Sequence, residues 1–121
     1  MTIEKCYEEI GGDFSEVIKR MATLARVKKF LNKFLEDDSF SSLCSAVREE
    51  KRADAFRAAH ALKGVCQNMG FGTLQKSSFQ ITELLRPETE KISSGVRELL
   101  PVVEKDYLLT VQAIKKYFDE E

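Results

Sequence analysis

The sequence predicts an all-α fold, an antiparallel four-helix bundle with one or two additional short helices. Apolar residues recur at steps of three and four along most of the chain, and no alternating strand-like pattern persists. Most of the proline and glycine residues fall between the periodic segments. With 43% hydrophobic and 32% charged residues, the 121-residue chain has the composition of an ordinary globular domain. We therefore expect one domain over residues 1–121, with a core that needs no disulfide or metal.

The N-terminal part of the chain predicts two helices. A short helix over about 2–10 ends where two glycines interrupt the pattern. Asp13 and Glu16 have the D-x-x-E spacing of a capping box, which marks the start of a second helix. Apolar residues then recur at helical spacing up to Phe34, which predicts one long amphipathic helix, with a bend near Thr23 as an option.

A third and a fourth helix follow an acidic interruption. Asp38 or Ser39 can cap a helix whose inner face is apolar. The next helix covers about 53–69 and ends at Gly70, because glycine readily adopts the left-handed conformation that closes a helix.

The last two helices are separated by a proline. One covers about 73–86 and stops at Pro87, and the other runs from near Ser94 to about 119. Pro101 lies inside the last helix and predicts a kink, because it removes one backbone hydrogen bond. The predicted inward positions of this helix are Val96, Leu100, Val103, Tyr107, Val111, Ile114 and Phe118.

Charge and cysteine content argue against several classes of function. A formal net charge of −1 gives no reason to expect a nucleic-acid partner. Cys6, Cys44 and Cys66 are widely spaced, and one histidine cannot complete a zinc site with them, so we expect no bound metal or cofactor. Reduced thiols, the lack of an apolar leader and the lack of a membrane-spanning run predict a cytoplasmic location, and the initial Met favours a free-standing protein.

The helix over about 53–69 carries the only histidine of the chain on its polar side. One side of the helix is an apolar stripe that must face the core: Ala55, Ala59, Leu62, Cys66 and Met69. His60, Phe56, Lys63, Gly64 and Gln67 share the other side. Glycine inside a helix costs roughly 1 kcal/mol relative to alanine, which indicates that something must approach closely there. The alternatives are a solvated surface histidine and a phenylalanine that packs against a neighbouring helix.

The segment HALKGVCQNMG, residues 60–70, resembles the H-x-L-K-G-x-x-x-x-x-G signature of histidine-phosphotransfer (HPt) domains. These domains are four-helix phosphocarriers of two-component phosphorelays, and the helix pattern of the whole chain fits them. Cys66 and Gln67 depart from the family, which commonly has small residues at those positions.

The resemblance implies a role for four residues of this helix. His60 is the expected phosphoryl acceptor through its Nε2 atom, since neutral imidazole is a nucleophile near pH 7. Lys63 is expected to pair with the phosphoryl oxygens as a point charge. Gly64 is expected to admit the partner's loops. Gln67 is expected to hydrogen-bond the imidazole or the phosphoryl group, with a solvated polar residue as the alternative.

The resemblance also implies the partners. These are receiver domains of response regulators, which supply the aspartate and the Mg²⁺, and histidine kinases or hybrid kinases. Phe56 is expected to belong to a hydrophobic docking collar, and Arg57 to steer the acidic receiver. No nucleotide-binding loop occurs, so we expect a phosphocarrier without kinase activity of its own, and a monomer.

Two other functions fit parts of the pattern. One is the dimerisation and phosphoacceptor domain of a sensor kinase, but its motif has an acidic residue after the histidine and a proline five residues on, where this chain has Ala61 and Val65. The other is a non-catalytic helical adaptor in which His60 is incidental. Substitution of His60 by glutamine separates an adaptor from a phosphocarrier, because an adaptor keeps its activity and a phosphocarrier loses phosphoryl transfer.

Overall fold

The computed structural model describes all 121 residues and contains only helices and their connections. The seven helices are α1 (Ile3–Ile10), α2 (Phe14–Met21), α3 (Leu24–Leu35), α4 (Ser39–Arg48), α5 (Arg52–Met69), α6 (Gly72–Leu85) and α7 (Ser94–Asp119). None of them is long and apolar enough to cross a membrane.

Helices α4 to α7 form the predicted four-helix bundle. Each helix packs against the next one along the chain, and α7 closes the bundle against α4. The connections are short, which makes sequential helices antiparallel neighbours. Every bundle helix contributes fully buried apolar side chains to one core, for example Leu43, Leu62, Leu74, Ile81 and Ile114. The all-α prediction is therefore confirmed.

The long helix predicted over residues 14–34, with a bend near Thr23 as an option, is two helices. The chain turns at Ala22, whose φ of 75° no α-helix can contain. Thr23 then caps α3, because its hydroxyl accepts the backbone N–H of Arg26 at 3.2 Å. As a result three helices precede the bundle rather than one or two. The periodicity of apolar residues did not reveal the break because its steps of three and four continue across it through Met21, Leu24 and Val27.

Two helix starts are capped differently from the prediction. The carboxylate of Asp13 does cap α2, accepting the N–H of Ser15 at 2.9 Å, but no side-chain bond from Glu16 completes a capping box. The cap of α4 comes from one residue earlier than expected. There the carboxylate of Asp37 accepts the backbone N–H of Ser39 at 2.8 Å.

Helix α7 continues through Pro101 as a single element. Its buried residues are Val96, Val103, Thr110, Ala113, Ile114 and Tyr117, so three of the seven predicted inward positions are fully buried. Leu100, Tyr107, Val111 and Phe118 are only half-buried. The buried stripe shifts toward Ala113 because α1 packs on the second half of α7, where the Cys6 thiol donates to the Ala113 carbonyl at 3.5 Å.

Helix α5 ends as predicted at Gly70, which has a φ of 71°. A Cβ at this position would lie 2.4 Å from Cγ2 of Val17 and 3.8 Å from the ring of Tyr7, so α1 and α2 pack tightly against the turn. The turn between α5 and α6 is only Gly70 and Phe71. Glycine therefore serves here both for backbone conformation and for close packing.

Side chains of α1 and α2 cap the C-terminus of α5. The last carbonyls of a helix have no partner within it. The Tyr7 hydroxyl donates to the Met69 carbonyl at 2.9 Å. Nη2 of Arg20 donates to the carbonyls of Gln67 and Asn68, at 3.3 and 3.0 Å. The N-terminal helices thus fix the end of the helix that carries His60.

Candidate functional site

His60 lies on the solvent-facing side of α5. All five predicted members of the apolar stripe are buried on the opposite side: Ala55, Ala59, Leu62, Cys66 and Met69. His60 is exposed, and no hydrogen bond or ion pair ties its imidazole to another group. Its nitrogens are therefore free to react with a partner from solvent.

Phe56 supports the imidazole of His60. The two rings stack with their centroids 5.9 Å apart and their planes at 27°. The Arg86 guanidinium, from the end of α6, lies 5.2 Å from the centroid of the Phe56 ring. Arg86 is itself held by Glu83, and this hydrogen-bonded pairing lowers the pKa of the Glu83 carboxyl. Phe56 thus faces outward beside His60, as predicted, and also contacts the neighbouring helix.

Lys63 lies one turn from His60 and forms no ion pair. Its side chain is half-buried, and its ammonium lies 5.7 Å from the centroid of the Phe79 ring on α6. No carboxylate forms an ion pair with it. The ammonium is therefore available to an anion near His60, while the cation–π contact keeps it on the surface of the bundle.

Gly64 and Gln67 complete the predicted group on this face. A Cβ at Gly64 would meet no atom within 4 Å, so the glycine opens space toward solvent rather than toward another helix. Gln67 is exposed, and it lines grooves on both sides of this part of α5. The structure brings His60, Lys63, Gly64 and Gln67 together on one surface.

Arg57 lies beside this surface but is paired within the chain. Its guanidinium forms an ion pair with the carboxylate of Asp54, one turn earlier. Both side chains are largely exposed, so solvent screens the pair. Asp54 therefore offsets part of the charge of Arg57.

Comparison with known protein families matches residues 29–115 to the family described as the Hpt domain. The match begins within α3, ends within α7 and includes the whole of α5. The chain belongs to the Hpt domain family. Comparisons with curated proteins and with solved structures gave no significant match.

Family membership gives the general function of this Hpt domain. Hpt domains take part in phosphorelays as histidine-phosphotransfer domains, and they carry phosphoryl groups rather than catalyse a reaction of their own. Their partners are two-component proteins such as kinases and receiver domains. The single histidine of the chain lies on α5, inside the matched segment.

An apolar groove flanks the His60 face of the Hpt domain on the α3 side. We call it the α3–α5 groove, and its lining residues are Phe30, Lys33, Phe34, Asp37, Ala61, Gly64, Val65, Asn68 and Met69. The Lys33 ammonium lies 5.3 Å from the centroid of the Phe30 ring. The groove therefore offers apolar surface beside Gly64, and one cation, Lys33, and one carboxylate, Asp37, belong to its lining.

The residues that sequence reasoning missed all come from other helices. Phe79 and Arg86 of α6, Lys33 of α3 and Arg20 of α2 lie around the His60 face. One of these residues carried a signal in the sequence, since Phe79 is a large apolar residue outside the apolar stripe of its own helix. In the structure it is 51% exposed. The cations carry no such signal, since exposed lysines and arginines occur on every helix.

No group of three His, Cys, Asp or Glu side chains in the protein could hold a metal ion. The three cysteines are all free. Cys66 lies on the buried face of α5, and burial raises the pKa of its thiol to about 12. Cys66 is therefore a neutral core side chain at physiological pH, even though it lies within the histidine motif.

Proposed function

We propose that this Hpt domain is a phosphorelay intermediate that accepts a phosphoryl group on His60 and exchanges it with the aspartate of a receiver domain. The main support is the arrangement on α5: an exposed, unbonded imidazole stacked on Phe56, with the free ammonium of Lys63 one turn away. Phosphoryl transfer depends mostly on positioning and charge stabilisation, and a rigid helix supplies both.

The proposed transfer conserves atoms and charge. Nε2 of His60 attacks the phosphorus of the receiver's aspartyl phosphate. A phosphorus–nitrogen bond forms as the phosphorus–oxygen bond to the acyl group breaks, and the electron pair leaves with the aspartate carboxylate. The Lys63 ammonium pairs with the phosphoryl oxygens, and the Gln67 amide donates a hydrogen bond to one of them. The receiver holds the Mg²⁺, and the chain contributes no cofactor.

The receiver docks on the surface around His60. Phe56 and the α3–α5 groove receive apolar side chains of the receiver, and the open space at Gly64 lets its loops reach the imidazole. Arg57 contributes a weaker, Asp54-paired charge at the rim. The groups that the Hpt domain contributes to transfer, His60, Lys63 and Gln67, all belong to one chain. A monomer is therefore a complete phosphoryl acceptor. We place it in the cytoplasm, between a histidine kinase or hybrid kinase and a response regulator.

The test is transfer from phosphorylated receivers to the wild-type protein and to His60→Gln. Receiver domains are phosphorylated with a small-molecule donor and Mg²⁺, and the label is followed on a gel that preserves phosphohistidine. We expect acid-labile, alkali-stable label on the wild type and none on His60→Gln. The variant should fold normally, because His60 is exposed and makes no hydrogen bond that glutamine would break.

The same experiment separates the phosphocarrier from an adaptor. An adaptor binds its partners equally well with glutamine at position 60 and carries no label. A phosphocarrier binds receivers in both forms and transfers only in the wild type. Absence of label with every receiver and kinase tested would contradict the proposed function.

A further inference from the structure

Arg20 belongs to a part of the chain that precedes the segment matched to the Hpt family, yet it reaches the His60 face. Together with Gly64, Gln67 and Asn68 it lines a cleft on the exposed side of α5. Gly64 lies one turn from His60. The guanidinium is therefore a cation at the edge of the surface on which the proposed partner must dock.

The hydrogen bonds of Arg20 fix its guanidinium without using all of its donors. Both bonds to α5, to the carbonyls of Gln67 and Asn68, come from Nη2. A guanidinium has five N–H donors, so the Nε–H and the two Nη1–H groups have no acceptor in the protein. An arginine held by one nitrogen presents its remaining donors in a set orientation, which lowers the entropy cost of binding an anion.

Arg20 also differs from the other arginines near His60 in its charge balance. Arg57 is paired with Asp54, and Arg86 is paired with Glu83. No carboxylate forms an ion pair with Arg20. Its two acceptors are neutral carbonyls at the negative end of the α5 dipole, which offset only part of its charge.

We propose that Arg20 is a partner-binding residue that donates its free N–H groups to a carboxylate on the acidic surface of the receiver domain. This inference rests on the proposed function, since it names the contact through which the same partner is held. Helix α2 lies outside the segment matched to the family, and through Arg20 it would help to determine which receiver binds. Capping of α5 and binding of the receiver are then two uses of one guanidinium.

The test compares Arg20→Gln and Arg20→Lys with a matched control, Tyr7→Phe. The control removes a different cap from the same helix end, the hydroxyl bond to the Met69 carbonyl, without a change of charge. Single-turnover transfer from a phosphorylated receiver is measured against receiver concentration at two ionic strengths. KM here denotes the half-saturating receiver concentration, and kcat the limiting transfer rate. Urea denaturation gives the stability of each variant.

We expect Arg20→Gln to raise KM for the receiver roughly 10-fold with kcat unchanged, because a hydrogen bond to a charged group is lost. Its KM should also depend less on salt than that of the wild type. Arg20→Lys should fall between the two, since it keeps the charge and loses the planar fork. Tyr7→Phe should lose stability and keep the wild-type KM.

Three results would overturn the inference while leaving the proposed function intact. If Arg20→Gln keeps both the KM and the kcat of the wild type, Arg20 acts only as a helix cap. An equal rise of KM in Tyr7→Phe would attribute the effect to the position of the helix end. A lower kcat at an unchanged KM would mean that Arg20 contacts the phosphoryl group instead of a receiver carboxylate. A wild type that transfers no label with any receiver would overturn the proposed function and this inference with it.

Discussion

Gly64 and Gly70 lie six residues apart at the end of α5 and serve opposite physical purposes. Gly70 has a φ of 71°, and a Cβ there would lie 2.4 Å from the Val17 side chain, so the fold itself requires glycine. Gly64 has helical neighbours on both sides, and a Cβ there would meet nothing within 4 Å. The fold gains nothing from Gly64, and the reason for it must be sought in what approaches from outside.

Replacement of Gly64 by alanine should move stability and activity in opposite directions. We expect the free energy of unfolding to rise by about 1 kcal/mol, because alanine is the better residue inside a helix and the site is open. Phosphoryl transfer should slow, because the methyl group lies in the path of the partner. Urea denaturation and transfer kinetics on the same protein measure the two effects. Gly70→Ala is the control and should destabilise the fold, and normal transfer by Gly64→Ala would contradict the steric role.

At the scale of helices, the junction between α2 and α3 is the clearest case of local strain. Ala22 has φ and ψ angles of 75° and −39°, a conformation that residues with a side chain rarely adopt. Thr23 holds the junction by capping α3, and Val17 and Met21 anchor α2 in the core. Tertiary packing of two short helices therefore outweighs the unfavourable backbone of one alanine.

Ala22→Gly should stabilise the protein, because glycine adopts a positive φ without the clash of a Cβ. We expect a gain of about 1 kcal/mol after the entropy that glycine adds to the unfolded chain is subtracted. Thr23→Ala should instead cost about 1 kcal/mol through loss of the cap. Thermal or urea denaturation gives both values. A loss of stability in Ala22→Gly would mean that the junction is not strained.

At the scale of the whole molecule, one core joins the bundle to the N-terminal helices. Tyr7 and Cys6 of α1 are fully buried against the end of α5 and the second half of α7. Phe34 of α3 packs edge-on against Phe71, with ring centroids 4.9 Å apart. Side chains of α1 to α3 therefore belong to the same hydrophobic core as the bundle, and we expect these helices to unfold with it.

The pH dependence of stability should report this shared core through Cys66. Burial raises the pKa of its thiol from 9.0 to about 12, so folding favours the neutral form. The contribution is complete below pH 9 and is lost as the pH rises toward 12, because the unfolded thiol ionises first. We expect the free energy of unfolding to fall in this window by at most about 1.4 kcal/mol per pH unit from this group.

Urea denaturation from pH 8 to 11 tests this, with Cys66→Ala as the control that should show a shallower decline. Thiol labelling at pH 8 gives an independent measurement. Cys44, which is only half-buried, should react first, and Cys6 and Cys66 should react only as the protein unfolds. If Cys66 is labelled as fast as Cys44, the buried face of α5 is accessible to the reagent, and this prediction is wrong.

The sequence by itself determined the helical class, the bounds of α5 and α6 within a residue, and the face on which His60 lies. Helix periodicity and a closing glycine depend on residues within about four positions of each other, so they can be read along the chain. The same locality made the motif around His60 recognisable. Helix periodicity failed at Ala22, where the apolar spacing continues although the helix is interrupted.

Only the tertiary structure decided what surrounds His60. Arg20 reaches carbonyls that are 47 and 48 residues away, and Lys63 rests on Phe79 of the next helix. No carboxylate forms an ion pair with Arg20 in this position. Such contacts depend on how helices dock, which follows from packing across the core and from nothing local in the sequence.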